Sequence, residues 1–225
     1  MFCISHFTIS FHPCHIGYIV LYTAIIMRHI NDIHTILQEL LANSYVIIDG
    51  PAAVHDPMVS RSWFCNDEAS TSLPGARGRY RHQISSGGEG RMLREKLSRA
   101  MDVAGVLLGR EVLPSQDALY ALRTEEGAAE QGLMHTDWPV AVCARYEGDK
   151  KPGSAIWAAF AAFELLGPEG ETIHVGAGKM VVFQGDWWHC GGPHSSQCLR
   201  VHTFLRPLGS SLGPPAHVHT DRSPI

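Results

Sequence analysis

The segment LMHTDWP carries two side chains with the types and the spacing of metal ligands. His135 and Asp137 are two residues apart, and on a β-strand residues two apart point to the same face of the sheet. One strand would then supply one nitrogen and one oxygen ligand. Adding a histidine from a second strand gives the two-histidine, one-carboxylate arrangement that leaves coordination positions open for substrate and oxygen at non-haem iron.

The candidate for the third ligand is His189. It follows the apolar run KMVVFQ and the turn signal Gly185-Asp186, so it would lie where a strand ends and the chain turns. The 54 residues from 135 to 189 leave room for the intervening strands of a jelly roll. Asp186 is a further carboxylate near His189, but we expect it to shape the turn rather than to bind metal.

Arg200, in the apolar segment CLRVHTFL, is the candidate for binding an anionic cosubstrate. Its guanidinium can hold a carboxylate through two parallel hydrogen bonds. His202 would share its strand face. We expect His202 either to assist Arg200 at that carboxylate or simply to pack.

Aromatic side chains surround the proposed ligands in the sequence. Trp138 and Trp187 flank them directly, and Tyr146 follows in the next predicted strand. Large aromatic side chains with one polar atom are common both in ligand pockets and in cores. We predict that Trp138, Tyr146 and Trp187 line the substrate pocket, with core packing at the mouth of the barrel as the alternative for the tryptophans.

The tripeptide around His135 is not evidence by itself, because His219-Thr220-Asp221 repeats it near the C-terminus. That copy lies in a Pro/Gly-rich context, with no predicted strand around it and no later histidine. We therefore interpret it as a coincidence. The first copy differs from the second because His189 and then Arg200 follow it in the sequence.

Composition limits the class of protein. The chain has 225 residues, of which 45% are hydrophobic and 18% charged, as in an ordinary globular protein with one domain. A formal charge of −4 gives no global basic field for non-specific nucleic-acid binding. The six cysteines form no CxxC pair, which argues against a zinc knuckle and favours free thiols in a reducing compartment.

The elements that would position these residues are mostly strands. A helix is predicted from residue 30, followed by a strand over 44–48; residues 51–90 are predicted as a long loop and 91–109 as an amphipathic helix. The segment AIWAAFAAFELL would also suit a buried helix. We predict a mainly β fold with bracing helices, a double-stranded β-helix or jelly roll, with further strands over 118–123, 133–137, 140–146, 155–165, 171–175, 179–184 and 198–205.

One domain is expected over residues 29–206. Residues 1–28 are apolar but too short a run for an ordinary membrane span, so they are interpreted as a mis-called start, with a weak anchor over 7–27 as the alternative. Residues 207–225 are predicted to be a disordered tail. The arginine-rich stretch GARGRYRHQISSGGEGR could bind an anionic or nucleic-acid substrate, although charge runs usually just face water.

Together these motifs resemble the iron(II)/2-oxoglutarate-dependent dioxygenase superfamily, whose pattern is HxD…H…R. The run GKMVVFQGDWWHCGG…LRVHTFL is similar to the prolyl-hydroxylase-like oxygenases, and LQELLANSYVIIDG echoes their helix followed by a hydrophobic-Asp-Gly strand. The likeness spans about residues 30–206, with its specific motifs in 133–206.

The resemblance implies a chemistry for each candidate residue. His135, Asp137 and His189 would hold Fe(II), while Arg200 and His202 would bind 2-oxoglutarate. With O2 as the second cosubstrate and ascorbate as an optional reductant, such an enzyme hydroxylates or demethylates a substrate and releases succinate and CO2.

Two alternatives stay open at the level of sequence. One is a jelly-roll module that binds metal or a partner without turnover; the other is a cupin-like metal enzyme that does not use 2-oxoglutarate and has no need of Arg200. The substrate, whether a protein side chain, a nucleic acid or a small molecule, would be selected by variable loops such as 51–90. We expect a cytoplasmic or nuclear protein, with the N-terminal anchor as the alternative.

Overall fold

The computed structural model describes residues 33–50, 70–72, 79–83, 105, 109–113, 119–126, 133–193, 197–213, 215 and 218–222. The apolar segment 1–28 and all but two positions of the helix predicted over 91–109 lie outside the described residues. No helix within these ranges has the length and apolar character needed to cross a bilayer.

Most of the described chain is β-structure. One helix, α1, covers residues 33–43, a second short helix, α2, covers Val140–Cys143, and a 3-10 turn covers Gly148–Lys150. The strands are β1 Tyr45–Asp49, β2 Ser70–Ser72, β3 Arg79–Gln83, β4 Arg110–Val112, β5 Leu119–Thr124, β6 Met134–Thr136, β7 Gly153–Phe160, β8 Phe163–Leu166, β9 Thr172–Val175, β10 Lys179–Gln184, β11 Cys190–Gly191, β12 Cys198–Pro207 and β13 Val218–Arg222.

The strands form two layers. The major sheet has the order β1-β10-β7-β12-β5-β3-β2, and β4 pairs with the far end of β12. The minor layer contains the three-stranded sheet β11-β8-β9 and the two-stranded pair β13-β6. A β-bridge between His135 and His189 joins the pair to the three-stranded sheet. All these pairings are antiparallel. The predicted jelly roll is confirmed.

Both faces of the major sheet are buried, as β10 shows by its alternation. Met180 and Val182 belong to a core cluster on the outer face, which is covered by Leu40 and neighbouring residues of α1. Val181 and Phe183 belong instead to the inner cluster between the two layers. Strands buried on both faces read as continuous apolar runs, which explains the sequence KMVVFQ.

The ambiguous segment AIWAAFAAFELL is β-structure and not a helix. It divides into β7 of the major sheet and β8 of the minor layer. Ala161, between them, has a φ of 61°, in the left-handed region that costs a non-glycine residue about 1–2 kcal/mol. The sharp turn lets the chain change layers within two residues, so the single predicted strand over 155–165 is two strands.

The strand predicted over 140–146 is wrong. The carbonyl of Pro139 accepts hydrogen bonds from the backbone N–H groups of Val142 and Cys143 at 2.8 and 3.1 Å, which closes the turn that starts α2. Proline, with its fixed φ and no N–H, suits the start of a helix. Only Cys143 of α2 is buried.

Two regions predicted to be irregular contain strands. β2 and β3 lie within the loop predicted over 51–90 and extend the major sheet beyond β5; the rest of that loop lies outside the described residues. β13 lies in the tail predicted to be disordered, where it pairs with β6. In both places the unpaired backbone edge of a core strand supplies hydrogen-bond partners, and these outweigh a weak local propensity for β-structure.

Candidate metal centre

His135 and His189 lie directly opposite each other across the minor layer. The His135 N–H donates to the His189 carbonyl at 2.9 Å, and the His189 N–H donates to the His135 carbonyl at 3.0 Å. This reciprocal pair of backbone bonds is the closely spaced pair of an antiparallel ladder. The two imidazole rings therefore lie on one face, with their centroids 4.6 Å apart.

Asp137 completes a three-residue cluster. One ligand atom from each of His135, Asp137 and His189 lies within 4.8 Å of the others. The Oδ1 atom of Asp137 is 3.6 Å from His135 Nε2 and 3.9 Å from His189 Nε2. Metal bonds of about 2.1 Å would place such ligand atoms roughly 3–3.5 Å apart, so binding one ion would draw the most widely separated ligand atoms together by on the order of an ångström.

The two histidines of the cluster have the same tautomer. His135 Nδ1 is 2.8 Å from the Leu133 carbonyl, and His189 Nδ1 is 3.1 Å from the Trp187 carbonyl. A carbonyl oxygen only accepts, so Nδ1 carries the proton in both rings. Each ring thus directs an Nε2 lone pair towards Asp137 Oδ1, as a metal-ligating histidine requires.

The protonation states also suit a cation. Burial, followed by the charge of His135, lowers the pKa of His189 from 6.5 to about 4, so His189 is neutral at pH 7. Burial opposes ionisation of Asp137 and is the largest single influence on it. The histidines facing Asp137 (His202, His189 and His135) together outweigh burial and hold its pKa well below the usual range. His189 therefore presents a neutral nitrogen beside the Asp137 carboxylate, as a metal ion requires.

These protonation states predict that the metal-free protein loses stability as the pH falls from 6.5 towards 4. Over that range His189 becomes protonated in the unfolded chain but stays neutral in the folded chain, where its pKa is about 4. Because the unfolded state binds the additional proton, a lower pH favours unfolding. Urea unfolding in the presence of a chelator at pH 7, 6, 5 and 4 measures the effect. The variant His189→Gln should show a shallower slope, and equal slopes would contradict the assignment.

Trp138 locks the two ligand segments together. Its backbone N–H donates to the Gly185 carbonyl at 2.9 Å, and its indole N–H donates to the Gly153 carbonyl at 2.8 Å. A Cβ at position 185 would lie 2.7 Å from both Cβ and Cγ of Trp138, closer than real side chains approach. Only glycine at 185 lets the segment after Asp137 lie against the turn that precedes His189.

Asp186 lies in the same turn but outside the cluster. Its carboxylate accepts from the Lys151 ammonium at 2.8 Å. This ion pair fastens the turn to the loop that leads into β7. The structure is consistent with the expectation that Asp186 shapes the turn instead of binding metal.

The tryptophans predicted to line the pocket are core residues. Trp138 is buried in a cluster with Cys143 and Phe204. Trp187 is buried in the inner core and stacks on the His189 ring, with centroids 5.2 Å apart and planes 7° apart. For these two tryptophans the structure therefore agrees with the alternative prediction, which was core packing. Tyr146 is half-buried after α2, where its N–H donates to the Cys143 carbonyl.

Arg200 is buried on the inner face of the major sheet. Its Nη2 donates to Thr124 Oγ1 at 3.3 Å, and its guanidinium lies 5.1 Å from the centroid of the Phe163 ring. Burial lowers its pKa, yet a guanidinium remains charged in proteins. Among the described residues no carboxylate pairs with it, and its buried Nε atom has no hydrogen-bond partner.

His202 has a partner that its sequence position did not reveal. It shares the strand face of Arg200, as expected, but its Nε2 atom lies 3.0 Å from Asp137 Oδ2. The contact joins the major sheet to the minor layer. No spacing rule links positions 137 and 202, because the layers are brought together only by the fold.

The second HTD tripeptide lies beside the first. β13 runs antiparallel to β6, and the register places position 219 opposite position 135. The expectation that no strand surrounds this copy is wrong. The open edge of β6 was the one signal that could have indicated it.

Comparison with known proteins shows similarity only in structure. No protein-family model matches the chain, and no curated protein matches it by sequence. A prolyl hydroxylase from Trichoplax adhaerens, solved with a hypoxia inducible factor peptide, has a TM-score of 0.57 and 11% identity, covering 84% of this chain and 97% of that chain. An oxidoreductase of the 2-oxoglutarate-Fe(II) oxygenase family from Burkholderia pseudomallei has a TM-score of 0.52 and 14% identity, covering 82% of this chain and 94% of that chain.

A third similar structure is the alpha ketoglutarate dependent epimerase SnoN of nogalamycin biosynthesis, with a TM-score of 0.53 and 14% identity, covering 85% of this chain and 97% of that chain. Another structure of that epimerase contains Fe3+ and alpha ketoglutarate. These likenesses show that the chain has the fold of the iron(II)/2-oxoglutarate oxygenases, so the resemblance inferred from its motifs is confirmed at the level of the fold.

Proposed function

We propose that the protein is an iron(II)- and 2-oxoglutarate-dependent oxygenase. The observation that carries the proposal is the pairing of two features inside one jelly roll. The His135, Asp137 and His189 cluster could hold a divalent metal, and a buried arginine without an anionic partner among the described residues lies on the facing sheet. A buried cation of this kind indicates a missing anion, because burying an unpaired charge is costly.

The chain would divide the work between two sets of atoms. His135 Nε2, Asp137 Oδ1 and His189 Nε2 would hold iron and leave three positions of an octahedron open. When bound, iron with 2-oxoglutarate and O2 supplies an oxidation that yields succinate and CO2 and hydroxylates or demethylates the substrate. The remaining task of the protein is to bind, orient and exclude water.

Arg200 would bind the far carboxylate of 2-oxoglutarate. It is two residues from His202 on one strand face, a separation of roughly 7 Å, and His202 contacts Asp137. A short dicarboxylate can span that interval from guanidinium to metal. Thr124 Oγ1, which already accepts from Arg200, would remain beside the bound carboxylate as a second polar group.

Exposure indicates the side from which substrate would approach. The side chains of Asp137 and His189 are 4% and 3% exposed, whereas that of His135 is 32% exposed. Water is therefore excluded from most of the centre, which strengthens its electrostatic interactions. We infer that the substrate reaches the metal over the His135 ring.

The test is metal removal followed by restoration. Protein stripped with a chelator should form no succinate from 2-oxoglutarate, and Fe(II) added under air should restore formation, at first uncoupled from any substrate. Peptides, nucleic acids and small metabolites are then screened for stimulation. Metal binding without 2-oxoglutarate binding would indicate a cupin-like enzyme; binding of both without succinate formation would indicate a recognition module.

A further inference from the structure

His202 contacts the one atom of the carboxylate that the proposed metal site leaves unused. Asp137 Oδ1 faces the two ligand nitrogens at 3.6 and 3.9 Å. Asp137 Oδ2 faces His202 Nε2 at 3.0 Å. The two oxygens of the carboxylate thus have different partners, each from a different layer of the fold.

The proton on His202 is placed opposite to those on the ligand histidines. A carboxylate that binds a metal carries no proton, so Asp137 Oδ2 only accepts, and His202 Nε2 donates across the 3.0 Å contact. His135 and His189 carry their proton on Nδ1 and direct an Nε2 lone pair into the cluster. His202 therefore cannot offer Nε2 to a metal while it holds Asp137, and it lies outside the three-residue cluster.

The imidazole of His202 is held in place by rigid surroundings. It is buried on β12, which has a neighbouring strand on each side, β5 and β7. Phe204 meets it edge to face with centroids 4.9 Å apart, and Tyr120 lies 6.2 Å away. A donor on a central strand, fixed by aromatic packing, can orient a ligand with little motion.

We propose that His202 is a positioning residue that keeps Asp137 a one-oxygen metal ligand. A carboxylate can bind a metal with one oxygen or with both. Occupying Oδ2 with a hydrogen bond prevents the second mode, which would fill one of the three open positions. Those positions are needed for a bidentate keto acid and O2. This inference rests on the proposed metal site. It assigns His202 to the orientation of Asp137 instead of to the binding of 2-oxoglutarate.

The experiment compares three variants of the full chain by calorimetric titration with Co(II), followed by titration of the loaded proteins with 2-oxoglutarate. His202→Leu keeps the volume but loses the donor. His202→Gln retains an N–H at a similar reach. Thr203→Val is the matched control, because Thr203 is the next residue on β12, is buried, and its hydroxyl has no hydrogen-bond partner in the described structure. Thermal unfolding checks that each variant folds.

We expect His202→Leu to weaken metal binding about 10–100-fold, the usual effect of losing a group that orients a ligand. His202→Gln should recover most of that loss, and Thr203→Val should bind as the wild type does. Wild-type affinity in His202→Leu would overturn the proposal. So would an unchanged affinity of Co(II)-loaded His202→Leu for 2-oxoglutarate, because an Asp137 that binds the metal with both oxygens would occupy a position that the keto acid needs. Failure of the wild type to bind metal would refute the proposed function itself.

Discussion

Replacing Asp137 with alanine should abolish metal-dependent succinate formation. The substitution removes the only carboxylate of the three-residue cluster and leaves two imidazoles to bind the ion. Loss of a residue that only orients a ligand already weakens metal binding about 10–100-fold, so loss of the ligand itself should exceed that range. Turnover of 2-oxoglutarate by wild type and Asp137→Ala, at matched protein and iron concentrations, measures the effect.

The chain contains its own control for this variant. Asp221 occupies the same place in the second HTD tripeptide, so Asp221→Ala removes an identical residue from an identical tripeptide. It should turn over at the rate of the wild type. Equal turnover in wild type and Asp137→Ala would contradict the assignment of the metal site. Loss of turnover only in Asp221→Ala would indicate that the metal is bound by the second tripeptide.

Replacing Arg200 with glutamine should raise the KM for 2-oxoglutarate by roughly 100-fold, since charge-assisted hydrogen bonds to one carboxylate contribute up to about 3 kcal/mol. The variant keeps the metal ligands, so Co(II) binding should be unchanged. Initial rates of succinate formation over a range of 2-oxoglutarate concentrations measure KM. Arg200→Lys should recover little, because an ammonium cannot reproduce the two-pronged geometry of a guanidinium.

Arg206 offers the matched control for Arg200. It lies on the same strand, β12, but its Nε donates to Glu111 at 2.6 Å, so its charge already has a partner. Arg206→Gln should leave the KM for 2-oxoglutarate unchanged. A normal KM in Arg200→Gln, or an equal rise in both variants, would show that the far carboxylate is bound elsewhere.

The sequence predicted the cluster because its geometry is partly local. His135 lies in β6 and Asp137 follows directly after the end of that strand, so the alternation of side chains along an extended chain still turned both towards one point. Apolar runs buried on both sides located β10 and β12, and with them His189 and Arg200. These features depend on periodicity within a few residues, which the amino-acid order contains directly.

The errors arose where distant parts of the chain decide local structure. β13 forms because β6 offers an open edge, a circumstance invisible in the Pro/Gly-rich tail. The contact between His202 and Asp137 depends on how the two layers pack, and not on any spacing. The strand predicted over 140–146 is wrong for a different reason: its apolar residues suit a strand or a helix, and the Pro139 carbonyl closes a helical turn by accepting from Val142 and Cys143.

The close fit between Trp138 and Gly185 has a consequence for how this site can change by descent. A side chain at 185 would collide with the indole, so neither position can drift alone while the two ligand segments stay together. A lineage that enlarges residue 185 must first, or at the same time, reduce residue 138. We expect substitutions at these two positions to be correlated among relatives, and a single change at either to be found only where the metal site has already been lost.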